Sequence, residues 1–137
     1  MAIVGFGFTK MLIQRKSEVK GKVNINNNVS IQDVEETDLS LGTAKQKGLK
    51  IFFEFKSEYQ PDIAEILFEG HVLDVEDPKE LAEITKGWKK DKKLPKTIME
   101  PVVNSVLMKC NIQALIMSKE LNLPPPIPLP KVGGKKQ

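Results

Sequence analysis

The sequence predicts an α+β fold in which a four-stranded antiparallel sheet precedes a long C-terminal helix. In the first half of the chain, apolar residues alternate with polar residues, which is typical of half-buried strands. A short turn from Tyr59 to Asp62 joins the two clearest alternating segments, so these segments form an antiparallel hairpin. From Leu94 to Leu121 the apolar residues recur at intervals of three and four, which is the spacing of one helix face.

The segment from Ile3 to Gln14 is apolar and predicts the first strand. We expect four apolar side chains to share one of its faces: Val4, Phe6, Phe8 and Leu12. Gly5 and Gly7 are not followed by the third glycine and the helix of a dinucleotide-binding loop, so they indicate a bulge or a close backbone approach.

A clean alternation between Val23 and Gln32 predicts the second strand. We expect its apolar residues to face the core: Val23, Ile25, Val29 and Ile31. The opposite face carries amides and hydroxyls, which form either a solvated surface or one that hydrogen-bonds an extended peptide. The polar segment from Leu39 to Gly48 is interpreted as a mobile connection.

The third strand is predicted from Leu49 to Tyr59 and the fourth from Ile63 to Val75. Phe52 lies on the polar face of the third strand, where it either pairs across the sheet or belongs to a binding surface. His71 has no carboxylate, serine or cysteine at a catalytic spacing, so we interpret it as a surface histidine.

A short helix is predicted to begin after Asp77, with Pro78 in its first turn and Glu80 completing a capping box. Trp88 then either anchors this helix to the core or stacks on a nucleic-acid base. The second interpretation depends on the lysines around it: Lys86, Lys89, Lys90, Lys92 and Lys93.

The long helix has almost no polar face between residues 112 and 117, so it requires cover on more than one side. That cover comes either from a second copy of the chain or from a loop of the same chain. Pro101 predicts that the regular helix begins near Glu100 or kinks there. Cys110 lies among the apolar residues and is interpreted as a buried thiol.

The prolines between residues 123 and 130 exclude a helix and predict an extended segment. Leu123, Ile127 and Leu129 are interleaved with these prolines. The segment is either a polyproline ligand for another protein or a strap over the chain's own helix or sheet. We expect residues 1–132 to form a single domain and residues 133–137 to form a disordered, lysine-rich tail.

The composition excludes several classes of function. Lys and Arg number 21 against 18 acidic residues, and this net charge of +3 does not by itself indicate a nucleic-acid partner. One cysteine and one histidine cannot form the usual zinc site, and no nucleophile with a base, carboxylate pair or phosphate loop is assembled, so we predict no enzyme activity, metal or cofactor. The absence of a leader and of an apolar run of membrane length predicts a soluble cytoplasmic protein without membrane insertion.

Two parts of the sequence carry a family resemblance: the hairpin of residues 53–61 and 66–70, and the leucine- and proline-rich end, residues 121–130. With the order of elements from Phe6 to Val132, they resemble the SecB-like family of export and toxin–antitoxin chaperones. The resemblance implies a four-stranded Greek-key sheet with the long helix across one face, and a dimer of dimers that holds unfolded polypeptides in apolar grooves. This chain is basic where export members are acidic, and its tail has no metal ligands, which argues against docking to an export ATPase.

Our leading hypothesis is a homo-oligomeric, dimeric or tetrameric, ATP-independent holdase for unfolded or extended polypeptides, which requires apolar surface and free backbone edges but no catalytic group. The predicted peptide-binding residues are Phe6, Phe8, Phe52, Phe68, Leu123, Ile127 and Leu129. The alternative is a nucleic-acid-associated module that uses Trp88 and the lysines around it.

Overall fold

The computed structural model describes residues 2–41 and 44–128 and contains four strands followed by two helices. The elements are β1 (Ala2–Arg15), β2 (Asn24–Leu41), β3 (Ala44–Gln60), β4 (Ala64–Val75), α1 (Pro78–Asp91) and α2 (Lys96–Glu120). The leucine- and proline-rich segment that follows α2, residues 123–128, is called the strap below.

The strands form one antiparallel sheet in the order β1-β4-β3-β2. β2, β3 and β4 are neighbours both in sequence and in the sheet, whereas residues 16–23 carry the chain from β1 at one edge to β2 at the other. The backbone amides of Lys16 and Ser17 in this crossing segment donate hydrogen bonds to the carbonyl oxygen of Ile63. This is a Greek-key arrangement, as predicted.

The core lies between the sheet and the helices. Alternate residues of β3 and β4 are buried on the face that the helices cover, and the residues between them remain partly exposed on the opposite face, so the two strands show the period of two that the sequence predicts. The largest fully buried hydrophobic side chains on these strands are aromatic or branched: Leu49, Ile51, Phe53, Phe55, Tyr59, Ile66, Phe68 and Val72.

β1 departs from the predicted pattern. The register shifts between Ile3 and Gly5 and again between Phe8 and Lys10. Leu12 therefore pairs with Leu67 on the face away from the helices, whereas Phe8 lies on the helix-covered face. The prediction that Leu12 shares a face with Phe8 was wrong, because an extra residue at a bulge reverses the facing of every later side chain.

β2 and β3 are longer than predicted. Leu39 pairs with Gln46, and the ladder continues to the pair of Leu41 with Ala44, so the predicted mobile connection from Leu39 to Gly48 is largely strand. The composition of this segment indicated a loop, but continuous backbone pairing in the hairpin overrides that local preference.

In α1, Leu81, Ile84 and Trp88 form the buried stripe that the sequence predicts. Asp77 occupies the N-cap position, but its side chain makes no capping hydrogen bond, so the predicted capping box is not formed. The indole nitrogen of Trp88 donates to Oδ1 of Asp33 at 3.3 Å, which joins α1 to the edge strand β2.

α2 is continuous from Lys96, so the alternative of a helix that begins near Glu100 was wrong. Pro101 lies in its second turn and is exposed. One stripe at four-residue spacing faces the sheet and is fully or almost fully buried: Ile98, Val102, Val106, Cys110, Ala114 and Ser118. Within the described residues, neither helix is long and apolar enough to span a membrane.

Candidate functional site

Phe6 and Phe8 lie at the β1 edge of the sheet, on the face that the helices cover. Their rings meet edge to face with centroids 5.0 Å apart, and each ring also contacts Phe53. Nζ of Lys109 on α2 lies 5.5 Å from the centroid of Phe6. Both phenylalanines are only partly buried, so they present aromatic surface beside an outer strand.

Two residues of β4 support this aromatic pair from below. Phe68 contacts Phe8 with ring centroids 5.6 Å apart, but it is fully buried and reaches no surface of the protomer. A Cβ atom on Gly70 would lie 2.9 Å from the Phe53 ring and would overlap the carbonyl oxygen of Gly7. Gly70 therefore permits the close approach of β1 that brings Phe6 and Phe8 over Phe53.

Phe52 lies on the opposite face of the sheet, away from both helices. Its ring contacts His71 across the sheet at 6.4 Å between centroids, and Nζ of Lys50 lies 5.4 Å from its centroid. Burial and the charge of Lys50 lower the pKa of His71. Phe52 also lines a shallow depression of about 380 Å³ whose rim includes the carboxylates of Asp33, Glu35 and Glu69.

The strap crosses the start of β2 at the other edge of the sheet. Leu123 is buried, and Ile127 is partly buried and lines an open groove of about 560 Å³ between β2 and the strap. Nδ2 of Asn27 donates a 2.9 Å hydrogen bond to the carbonyl oxygen of Pro126. The described part of the strap thus lies over the chain's own sheet, one of the two predicted arrangements, whereas Leu129 lies outside the described residues.

The predicted peptide-binding residues consequently do not form one continuous surface. Phe6 and Phe8 form the β1-edge aromatic pair, and Phe68 lies beneath them. Leu123 and Ile127 lie near the opposite edge, and Phe52 lies on the opposite face. Their roles in peptide binding remain predictions.

Asn27 was missed by the sequence analysis. It pairs with Ser57 on the core-facing side of β2, between Ile25 and Val29. Its Oδ1 accepts a 2.6 Å hydrogen bond from the Ser57 hydroxyl while its amide holds the strap. The signal was present in the sequence, because Asn27 is the polar residue that interrupts the apolar alternation from Val23 to Ile31.

Both outer strands leave one backbone edge unpaired within residues 2–41 and 44–128. β1 has 14 residues and β2 has 18, so these edges are long. Unpaired N–H and C=O groups on such edges are templates for an added strand from another polypeptide.

α2 carries a second apolar stripe that faces away from the sheet. Met108, Ile112 and Ile116 are 66%, 53% and 53% exposed and recur at four-residue spacing. Ile112 follows Cys110 of the buried stripe by two residues, about 200° around the helix. The sheet thus covers one side of an apolar helix and leaves its other side in solvent.

The proposed base-stacking role of Trp88 has no support in this geometry. Its indole is only 6% exposed and is held against β2 by Asp33. The surrounding lysines are exposed, but they lack the accessible aromatic ring that single-stranded nucleic-acid binding uses.

The fold is similar to that of the Mycobacterium tuberculosis SecB-like chaperone Rv1957, whose structure was solved in complex with a ChAD peptide from the HigA1 antitoxin Rv1956. The TM-score is 0.59 at 12% sequence identity, and the match covers 98% of this chain and 92% of that chain. No protein-family profile and no curated protein sequence matches the chain. The predicted fold class, a four-stranded antiparallel sheet with a long C-terminal helix on one face, is confirmed.

Proposed function

We propose that the protein is an ATP-independent holdase that binds unfolded or extended polypeptides. The observation that carries this proposal is the pairing of an aromatic surface, Phe6 and Phe8, with the unpaired edge of the strand on which they lie. An extended client adds backbone hydrogen bonds along β1, and its apolar side chains pack on the two rings. Neither contact requires a nucleotide or a catalytic group.

The proposal includes a homo-oligomer, a dimer or tetramer, that forms through α2. Met108, Ile112 and Ile116 present a regular apolar ridge, and two such ridges pack into each other's grooves. A twofold axis brings the same stripe from two copies together. This leaves the strand edges free for clients.

The similarity to a chaperone solved with a bound peptide supports this type of function but does not identify the client. Exported proteins and the components of toxin–antitoxin pairs are the two client classes included in the proposal, both met in the cytoplasm. The groove between β2 and the strap, with Ile127, is a second candidate contact for the same clients.

The test is to dilute a chemically unfolded substrate into buffer with and without the purified protein and to follow light scattering. We expect suppression of aggregation at stoichiometric protein, unchanged by ATP. A solution mass measured on the same sample should exceed that of the 15.4 kDa chain. A monomer that leaves aggregation unchanged would overturn the proposal.

A pair of variants tests whether the β1-edge rings contact the client. Phe6→Leu combined with Phe8→Leu keeps apolar volume but removes both aromatic faces, so suppression should weaken while the fold persists. Phe55→Leu is the matched control, because the same chemical change is made in a fully buried ring. Equal loss of suppression in both proteins at equal stability would argue against the assigned site.

A further inference from the structure

A cavity of about 390 Å³ lies where the end of β4 meets the beginnings of α1 and α2. Its lining combines three carboxylates with an apolar wall: Glu76, Glu80, Glu83, Ile84, Pro95, Thr97 and Ile98. It is separate from the β1-edge aromatic pair and from the groove beside the strap.

Two carboxyl groups are buried at this end of β4. Asp74 is 0% exposed and Glu76 is 4% exposed. Oδ1 and Oδ2 of Asp74 and Oε2 of Glu76 have no hydrogen-bond partner, and no ion pair within the described residues includes either side chain. A buried carboxylate without a partner is strongly unfavourable, so such a site holds either a proton or a cation.

Within residues 2–41 and 44–128, no ion pair compensates the buried Asp74, and its pKa is raised rather than lowered. Burial, followed by the interaction with Glu76, raises the pKa of Asp74 to about 8. A hydrogen bond with Glu76 likewise raises the pKa of Glu80.

The shape of the cavity indicates which cation it accepts. Within the described residues, no group of three or more His, Cys, Asp or Glu side chains is placed to hold a metal ion. The volume is in the range that holds organic groups. Ile84, Pro95 and Ile98 offer apolar contact to a methylene chain, and Glu76 offers a carboxylate to a charged group at its end.

We propose that this cavity binds the guanidinium or ammonium group of an arginine or lysine side chain carried by a bound polypeptide. The guanidinium is the better fit, because its flat, multiple-donor end can donate a pair of hydrogen bonds to the carboxylate of Glu76, which lines the cavity. The inference that a bound polypeptide supplies the cation rests on the proposed function, whereas the inference of a cation site does not.

The test uses a short extended peptide with blocked ends and one arginine, and a matched peptide with citrulline, which has the same shape but no charge. We expect the arginine peptide to bind at least about tenfold more tightly, the change expected for loss of a hydrogen bond to a charged group. Glu76→Gln should remove this preference. Glu58→Gln, which makes the same change on the opposite face of the sheet, should keep it.

If the Glu76→Gln variant does not fold, the cation site can be tested by a measurement on the unaltered protein. A cation bound at Glu76 favours release of the proton on neighbouring Asp74, so the affinity for the arginine peptide should rise between about pH 6 and about pH 9 as Asp74 ionises. The carboxyls that line this site are those of Glu76, Glu80 and Glu83, Asp74 interacts with Glu76, and the residues of α2 that line the site are uncharged. The citrulline peptide should show no such rise.

Equal affinity for the two peptides, with aggregation still suppressed, would overturn this inference and leave the proposed function intact. If neither peptide binds and aggregation is not suppressed, both are wrong. If acetyl-arginine amide binds as tightly as the arginine peptide, the cation site exists, but the inference that a bound polypeptide supplies the cation is wrong.

Discussion

Tyr59 on β3 donates a hydrogen bond from its phenolic hydroxyl to the carbonyl oxygen of Pro124, which fixes the strap to the helix-covered face of the sheet. Tyr59 is 1% exposed, and Asn27 makes the second side-chain bond to the strap at Pro126. These two bonds and the burial of Leu123 join the end of α2 to the start of β2.

Tyr59→Phe should loosen the strap without unfolding the sheet. The variant keeps the ring but loses the donor, which should lower the free energy of unfolding by about 1 kcal/mol. Amide hydrogen exchange should become faster at Leu123 and Ile127 of the strap. It should not change at the buried positions of β3 and β4. Unchanged exchange in the strap would show that packing of Leu123 alone holds it.

The same hydroxyl makes stability fall at high pH. Burial raises the pKa of Tyr59 from 10.0 to about 12, so the folded state keeps a proton that the unfolded state loses. Below about pH 10 the tyrosine is protonated in both states, so its contribution to stability is constant there. Between about pH 10 and about pH 12 only the unfolded state ionises, so the free energy of unfolding declines as pH rises. Denaturant unfolding across that range should show a shallower decline in Tyr59→Phe than in the unaltered protein.

Ile112→Lys should break the oligomer while leaving the protomer folded. Ile112 is 53% exposed on the outward stripe of α2, so a charge there is solvated in a monomer but buried without a partner in an interface. Mass in solution should fall and far-ultraviolet circular dichroism should remain. Ala82→Lys, at an exposed position on α1, is the control and should retain the mass of the unaltered protein.

Phe52→Ala should weaken client capture with a modest effect on stability. Replacement of a fully buried phenylalanine by alanine typically lowers the free energy of unfolding by about 3–5 kcal/mol. Phe52 is partly exposed, so its replacement should cost less. Phe55→Ala, at a fully buried position on the same strand, should show that larger loss. Aggregation assays and urea titrations separate the two effects, and equal destabilisation by both variants would mean that Phe52 is a core residue.

Asp74 should make the protein less stable as pH rises from about 4 to about 8. Its folded pKa of about 8 exceeds the ordinary value of 3.8, so in this interval the folded state binds a proton that the unfolded state does not. The stability present below pH 4 is therefore lost progressively up to pH 8. Asp74→Asn should flatten this part of the profile, measured by urea unfolding at several pH values, and an unchanged slope would assign it to other groups.

The Cys110 thiol should be unreactive in the folded protein. It is 0% exposed on the buried stripe of α2, and burial raises its pKa to about 12, so almost no thiolate exists near neutral pH. A thiol-specific chromogenic reagent should react slowly until urea unfolds the chain. Rapid reaction without denaturant would show that α2 separates from the sheet.

The strands and helices were predictable because their apolar residues recur with the periods that burial on one face imposes. The alternation in β3 and β4 is nearly complete, and the strap was recognisable because prolines exclude a helix. The side chains of β1 were misassigned beyond Phe8, because no residue type marks the bulge before Lys10. A one-residue irregularity hardly changes the local composition, but it moves every later side chain of the strand to the other face of the sheet.

The candidate site was less predictable than the fold. Phe6 and Phe8 were identified from their aromatic character, but only the sheet order shows that they lie at an edge and that the strap lies at the other. The carboxyl pair of Asp74 and Glu76 was missed, since an acidic residue at a strand end is ordinarily exposed. Its burial depends on where α1 and α2 begin relative to β4, which is a tertiary relationship.

The placement of β1 beside β4 has a consequence for synthesis on the ribosome. β1 emerges first, yet its partner spans Ala64–Val75, so nearly the whole sheet must be translated before the first strand can pair. The hairpin of β2 and β3 joins neighbours in sequence and can form before β4 is translated. Until β4 is complete, the nascent chain exposes Phe6 and Phe8 on an unpaired strand, the kind of segment that holdases bind.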